Sequence, residues 1–103
     1  MTAVFLTSNE CEHLARCGSP AAVDILVAAL AAADPVQVRV ADYALGLVEN
    51  AAGVARIRHH LFCAPMPVQR NHAALYFKRR GLNAVLEEAL ESGAIDTVQA
   101  RSR

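Results

Sequence analysis

The chain has 103 residues, and its ten Lys+Arg balance ten Asp+Glu to give zero formal charge with four neutral histidines. Hydrophobic residues make up 54% and charged residues 19%, which excludes intrinsic disorder, a wholly cationic nucleic-acid binder and an acidic tail protein. The length fits one domain, and 21 Ala, 11 Leu and 11 Val without a single Trp favour helices that meet through small side chains.

In chain order, Ser8 to Cys17 forms a first predicted helix, with Cys11, Leu14 and Ala15 on one stripe. Gly18 suits the left-handed position after it, and Ser19-Pro20 supply the cap and first residue of a second helix. That helix is expected to run to about Ala33, with Val23, Leu26, Val27 and Leu30 inward. Asp34-Pro35 repeat the cap-then-proline signal and open a third helix to about Val48. The alternation Val36-Gln-Val38-Arg-Val40 favours strand locally, but the flanking cap and the Ala41 to Leu45 continuation favour helix. Glu49-Asn50 with Gly53 break it, and a fourth helix spans about Gly53 to Cys63 with Val54, Ile57, Leu61 and Phe62 as its apolar residues. Pro65-Met66-Pro67 ends that one and pre-sets a fifth, about Val68 to Arg79. A sixth, about Leu82 to Ser92, places Leu82, Val85, Leu86, Ala89 and Leu90 inward. Residues 96–103 read as a short tail.

The longest uninterrupted apolar run, Ile25 to Ala33, is about half a bilayer span, and the first residues lack a basic region or a leader-like apolar stretch. No membrane association is expected. Three cysteines, Cys11, Cys17 and Cys63, cannot all pair within one chain, and their scarcity points to a reducing cytoplasm.

Six helices in three pairs invite a repeat. Leu14, Leu45 and Leu75 lie 31 and 30 residues apart; Leu26, Ile57 and Leu86 lie 31 and 29 apart, as do Leu30, Leu61 and Leu90. The expected domain is 1–95, in units of about 8–33, 34–64 and 65–93. The stretch Asp34-Pro-Val-Gln-Val-Arg-Val-Ala-Asp-Tyr-Ala-Leu-Gly46 resembles the first helix of a HEAT-like repeat, in which Asp-Pro, a Val-Arg pair and an Ala-Leu-Gly ending recur. Here Gly46 would let a neighbouring helix approach. The resemblance implies an all-α, right-handed stack of three helix pairs, a short α-solenoid that serves as a binding scaffold.

The zero net charge is a sum of −3 over residues 1–38, +5 over 39–80 and −2 over 81–103. The basic middle carries Arg56, Arg58, His59, His60, Arg70, His72, Lys78, Arg79 and Arg80. Such a cluster can follow phosphate backbones, with Arg58, Lys78, Arg79 and Arg80 as the contacting residues. In the repeat register, however, Arg58 aligns with Glu87 and His59 with Glu88, which points to lateral salt bridges between second helices. Lys78 to Arg80 also fall at a helix C-terminus, where cations complement the dipole. Aromatic side chains for stacking are nearly absent there, Tyr76 and Phe77 aside.

Catalytic signals are poor. His59 and Cys63 share a helix face as half a metal site or a thiolate pair, but no third ligand, orienting residue or oxyanion hole is evident. The four serines sit at helix ends or loops, the glycines are scattered singly, and Glu87, Glu88 and Glu91 read as a solvated face. No enzyme activity, metal or cofactor is expected. The second helix, with Asp24 as its only charge, is too apolar to end a repeat array; either Val4, Phe5 and Leu6 fold over it or another chain does. The sequence therefore favours a non-catalytic protein-interaction module, an oligomer or accessory subunit, that meets its protein partner through the second helices, including Arg56, His59, Glu88 and Glu91. The alternative is a nucleic-acid-associated protein using residues 56–80.

Overall fold

Side-chain caps at four of the starts and Pro67 at a fifth accompany six α-helices in the computed structural model, which describes residues Leu6 to Ile95. They are α1 (Ser8–Cys17), α2 (Pro20–Ala29), α3 (Pro35–Leu45), α4 (Ala51–Cys63), α5 (Pro67–Arg79) and α6 (Asn83–Ser92), and the described residues contain no strand. The all-α expectation holds. Val4, Phe5 and the expected tail at 96–103 lie outside the described residues. None of the described helices is long and apolar enough to cross a membrane.

Local chemistry accounts for the starts. Thr7 and Glu10 form a capping box at α1, the Thr7 hydroxyl accepting from Glu10 N–H at 3.1 Å and the Glu10 carboxylate accepting from Thr7 N–H at 2.8 Å. Ser19, Asp34 and Asn50 accept from the N–H groups of Ala22, Val36 and Ala52, and so cap α2, α3 and α4. The expected ends need correction. Helix α2 stops at Ala29, not near Ala33, and tightens into shorter-range turns from Ala31 to Ala28 and from Ala32 to Ala29. Pro35 forces Asp34 into an extended conformation (φ −80, ψ 117), so the chain must leave the helix early. Helix α3 likewise ends at Leu45, with a similar turn through Leu47 and Val48.

The chain divides into two contact-dense units, Met1–Arg56 and Ile57–Arg103, and α4 runs through the division. In the first, α1, α2 and α3 pack on one another. Its core holds Cys11, Ala15, Val23, Leu26, Val27, Leu30, Ala41, Ala44, Leu45 and Val48, all at most 2% exposed. Ala41 and Ala44 let α3 sit close against α1 and α2. In the second, α5 packs on α6, and Ile57, Leu61, Ala73, Ala74, Tyr76, Phe77, Leu86 and Ala89 are buried. Leu82, expected inward, is instead 48% exposed; it precedes the first turn of α6 and takes the non-helical φ −90, ψ 73 of a cap residue.

Two glycines carry the tightest constraint. Gly53, expected to start α4, lies inside it, because Asn50 already supplies the cap. A methyl group there would overlap the Gly18 carbonyl oxygen and stand 2.8 Å from Val48 Cγ1. Gly18 ends α1 in the left-handed conformation (φ 62), and a side chain there would come within 2.7 Å of Asn50 Cβ. Gly46, expected to admit a neighbouring helix, faces only carbonyl oxygens of its own helix, Tyr43 O at 3.3 Å being the nearest. Gly53→Ala should therefore destabilise the fold by about 1–3 kcal/mol from overpacking, despite the roughly 1 kcal/mol helix preference for Ala over Gly. Urea denaturation checks it, and a more stable variant would contradict the close contact.

Candidate functional site

The charged residues singled out in the sequence fall on α4, α5 and α6, and the geometry divides them by the partners they already hold. Arg56, one turn beyond Gly53, donates from Nε to Asp24 Oδ1 at 2.7 Å and from Nη2 to Oδ2 at 3.1 Å. This two-pronged contact joins α4 to α2 and uses the only charge on α2. The Asp24 hydrogen bond raises the Arg56 pKa further above its ordinary value. Arg58 donates from Nη2 to Glu88 Oε1 at 2.8 Å, joining α4 to α6, with its guanidinium 5.1 Å from the Phe62 ring centroid. The lateral pairing expected from the register is present with Glu88 in place of Glu87, a shift of one residue. Both pairs are well exposed, so each adds little stability and acts chiefly to align its helices.

Of the residues proposed to meet a partner, Arg56 and Glu88 are thus engaged within the chain. His59 and Glu91 are exposed; the His59 ring meets His60 edge-on at 5.5 Å. Of the candidate phosphate contacts, Arg58 is held by Glu88, and the Arg80 guanidinium lies 4.4 Å from the Tyr76 ring centroid. Lys78 and Arg79 lie in the last turn of α5, where positive charge offsets the helix dipole. Arg70 proves structural. It donates from Nε to Ala94 O at 2.7 Å and from Nη1 to Ala64 O at 2.6 Å, tying α5 to the stretches before it and after α6.

Two buried glutamines went unremarked in the sequence. Gln37 accepts from Leu6 N–H at 2.6 Å and donates to Leu6 O at 3.1 Å, which anchors the entry to α1. Gln69 accepts from Met66 N–H at 3.2 Å and so serves α5 where Met66 offers no side-chain cap. Both stand third in a Pro-Val-Gln tripeptide that occurs at 35–37 and again at 67–69. That recurrence was the available signal.

The thiols differ. Cys11 is buried, and burial, with Glu10 adding to it, pushes its pKa up. Cys17 is exposed, with its Sγ 3.6 Å from Ser19 Oγ; hydrogen bonds from the Ser19 hydroxyl and then its backbone N–H hold its pKa below the usual thiol value. Cys63 is exposed on α4. Among the described residues, no three His, Cys, Asp or Glu side chains converge as metal ligands would. An apolar groove lies along α2, lined by Leu6, Ile25, Ala28 and Ala32, and Ile25 is 45% exposed.

No protein-family model, curated protein or solved structure matches this chain.

Two outcomes follow from these contacts. Arg70→Met leaves two carbonyl oxygens without their charged donor and should cost about 1.5–3 kcal/mol in thermal or urea unfolding; an unchanged midpoint would contradict the tie. Under mild iodoacetamide treatment of the native protein, mass spectrometry should show Cys17 modified well before Cys11, because a lowered pKa gives more thiolate at a given pH. Equal rates would contradict that assignment.

Proposed function

We propose that this chain is a non-catalytic, cytoplasmic protein–protein interaction module or accessory subunit, built on HEAT-like helix pairs stacked as a short α-solenoid. One observation carries the interaction reading. Six large apolar side chains are exposed among the described residues, and three of them, Val36 (51%), Tyr43 (59%) and Leu47 (39%), follow one stripe of α3 and its terminal turn. An apolar stripe of this kind on an otherwise anchored helix is a common mode of protein recognition. The repeat reading is supported by the Pro-Val-Gln openings of α3 and α5, and by ion pairs between second helices 32 and 30 residues apart. The second-helix face, with His59 and Glu91 exposed on it, is a further surface open to the partner. Cysteine scarcity supports the cytoplasmic assignment.

Affinity capture with the tagged chain tests this reading. The wild type should retain a protein in near-equal amount, whether another chain or its own untagged copy, and Tyr43→Glu should lose it; retention of nothing would overturn the module. The nucleic-acid alternative has less support, because Glu88 already occupies Arg58. Binding to generic DNA or RNA at low salt is expected to be absent, and binding that falls steeply with added salt would instead favour residues 56–80.

A further inference from the structure

We propose that the apolar groove along α2 is covered from within the chain, by the side chains of Val4 and Phe5 that directly precede Leu6. This inference concerns a surface other than the α3 stripe and is independent of the interaction reading above. The groove measures about 400 Å³, and its lining includes Leu6, Ile25, Ala28, Ala31, Ala32 and Gln37. An apolar cavity of about 150 Å³ already takes a benzene ring, so this groove has room for a phenyl ring and a second apolar side chain. Ile25 stands in it 45% exposed, and the alanines along its wall leave the space free. Helix α2 brings no unpaired charge to it, since its only charge, Asp24, is held by Arg56. The groove therefore suits an apolar occupant.

The point at which the chain enters selects that occupant. Gln37, only 3% exposed, grips both backbone groups of Leu6, accepting from its N–H at 2.6 Å and donating to its carbonyl oxygen at 3.1 Å. Leu6 and Gln37 both belong to the groove's lining. The Leu6 nitrogen held there is bonded to the carbonyl carbon of Phe5, and a trans peptide sets the two Cα atoms about 3.8 Å apart. Covalent geometry thus delivers Phe5, and Val4 beside it, to the edge of the groove. Their effective concentration there exceeds that of a separate chain. Both side chains are large and apolar, as the groove requires. They supply the cover that α2 lacks in its own sequence, and Gln37 is the positioning residue that aims them.

The chain contains no Trp, so Phe5→Trp gives the full chain a single indole whose fluorescence tests this. The expected emission of the folded chain is shifted to the blue of the same chain in urea, and the shift is unchanged on dilution. Ile25→Glu in this background should remove most of the shift with helical circular dichroism unchanged, because Ile25 is 45% exposed. Ala28→Glu, at a second exposed position of the wall, should do the same. Leu82→Glu, at an exposed apolar residue of the other unit, should leave the shift intact. A solvated emission in the folded chain, or a shift that survives both Ile25→Glu and Ala28→Glu, would overturn the proposal. A shift lost on dilution would overturn it too, by assigning the cover to a second copy.

Discussion

The meeting of Gly18 with Gly53 is the constraint on which the surrounding charges depend. Two backbones approach there more closely than any side chain allows, with Asn50 and Val48 filling the remaining space. The contact seats the first turn of α4 against the elbow between α1 and α2. Arg56 follows three residues later and meets Asp24 from that fixed seat. The same helix continues to Arg58, which reaches Glu88 on α6. A cluster that looks like an electrostatic footprint in the sequence is thus partly consumed in aligning helices. Geometry, more than charge count, decides which cations have work left to do.

Polar pins complement this seat. Gln37 holds the backbone of Leu6, Gln69 holds Met66, and Arg70 holds Ala64 and Ala94. Each satisfies main-chain groups at a helix entry or exit, where an unpaired buried group would be costly. Every buried side-chain nitrogen or oxygen among the described residues has a partner. The small side chains Ala41, Ala44, Ala73, Ala74 and Ala89 complete the cores. An alanine-rich chain with few aromatics is held by short contact distances and by a few well-placed hydrogen bonds.

The helices were legible because their punctuation is local. Ser19-Pro20 and Asp34-Pro35 each place a cap beside a residue with a fixed φ, and both worked as expected. The inward faces of α2 and α4 were legible at Val23, Leu26, Val27, Leu30, Ile57 and Leu61, all of which are buried. Glycines were misread because breaking a helix and permitting a close contact require the same residue, and only a distant partner distinguishes the two. Gly53 stands against Gly18, whereas a methyl group at Gly46 would meet carbonyl oxygens of its own helix. Leu82 was misread because periodicity extended the inward face one residue past the true start of α6. The lateral salt bridges were anticipated in kind, but the residue on α6 was off by one, since leucine alignment does not set the reach of an arginine. The exposed stripe of α3 was hidden in the sequence. Val36, Tyr43 and Leu47 look like core candidates until Ala41 and Ala44 are seen to take the inner side.

With Arg56 and Arg58 of α4 held by Asp24 and Glu88, the proposed interaction surface is the apolar side of α3. Affinity capture with the tagged chain, wild type beside Tyr43→Glu and Lys78→Glu, tests that claim most directly. The account predicts a protein retained in near-equal amount by the wild type and by Lys78→Glu, and lost by Tyr43→Glu. Retention of nothing by the wild type, or equal retention by Tyr43→Glu, would contradict it.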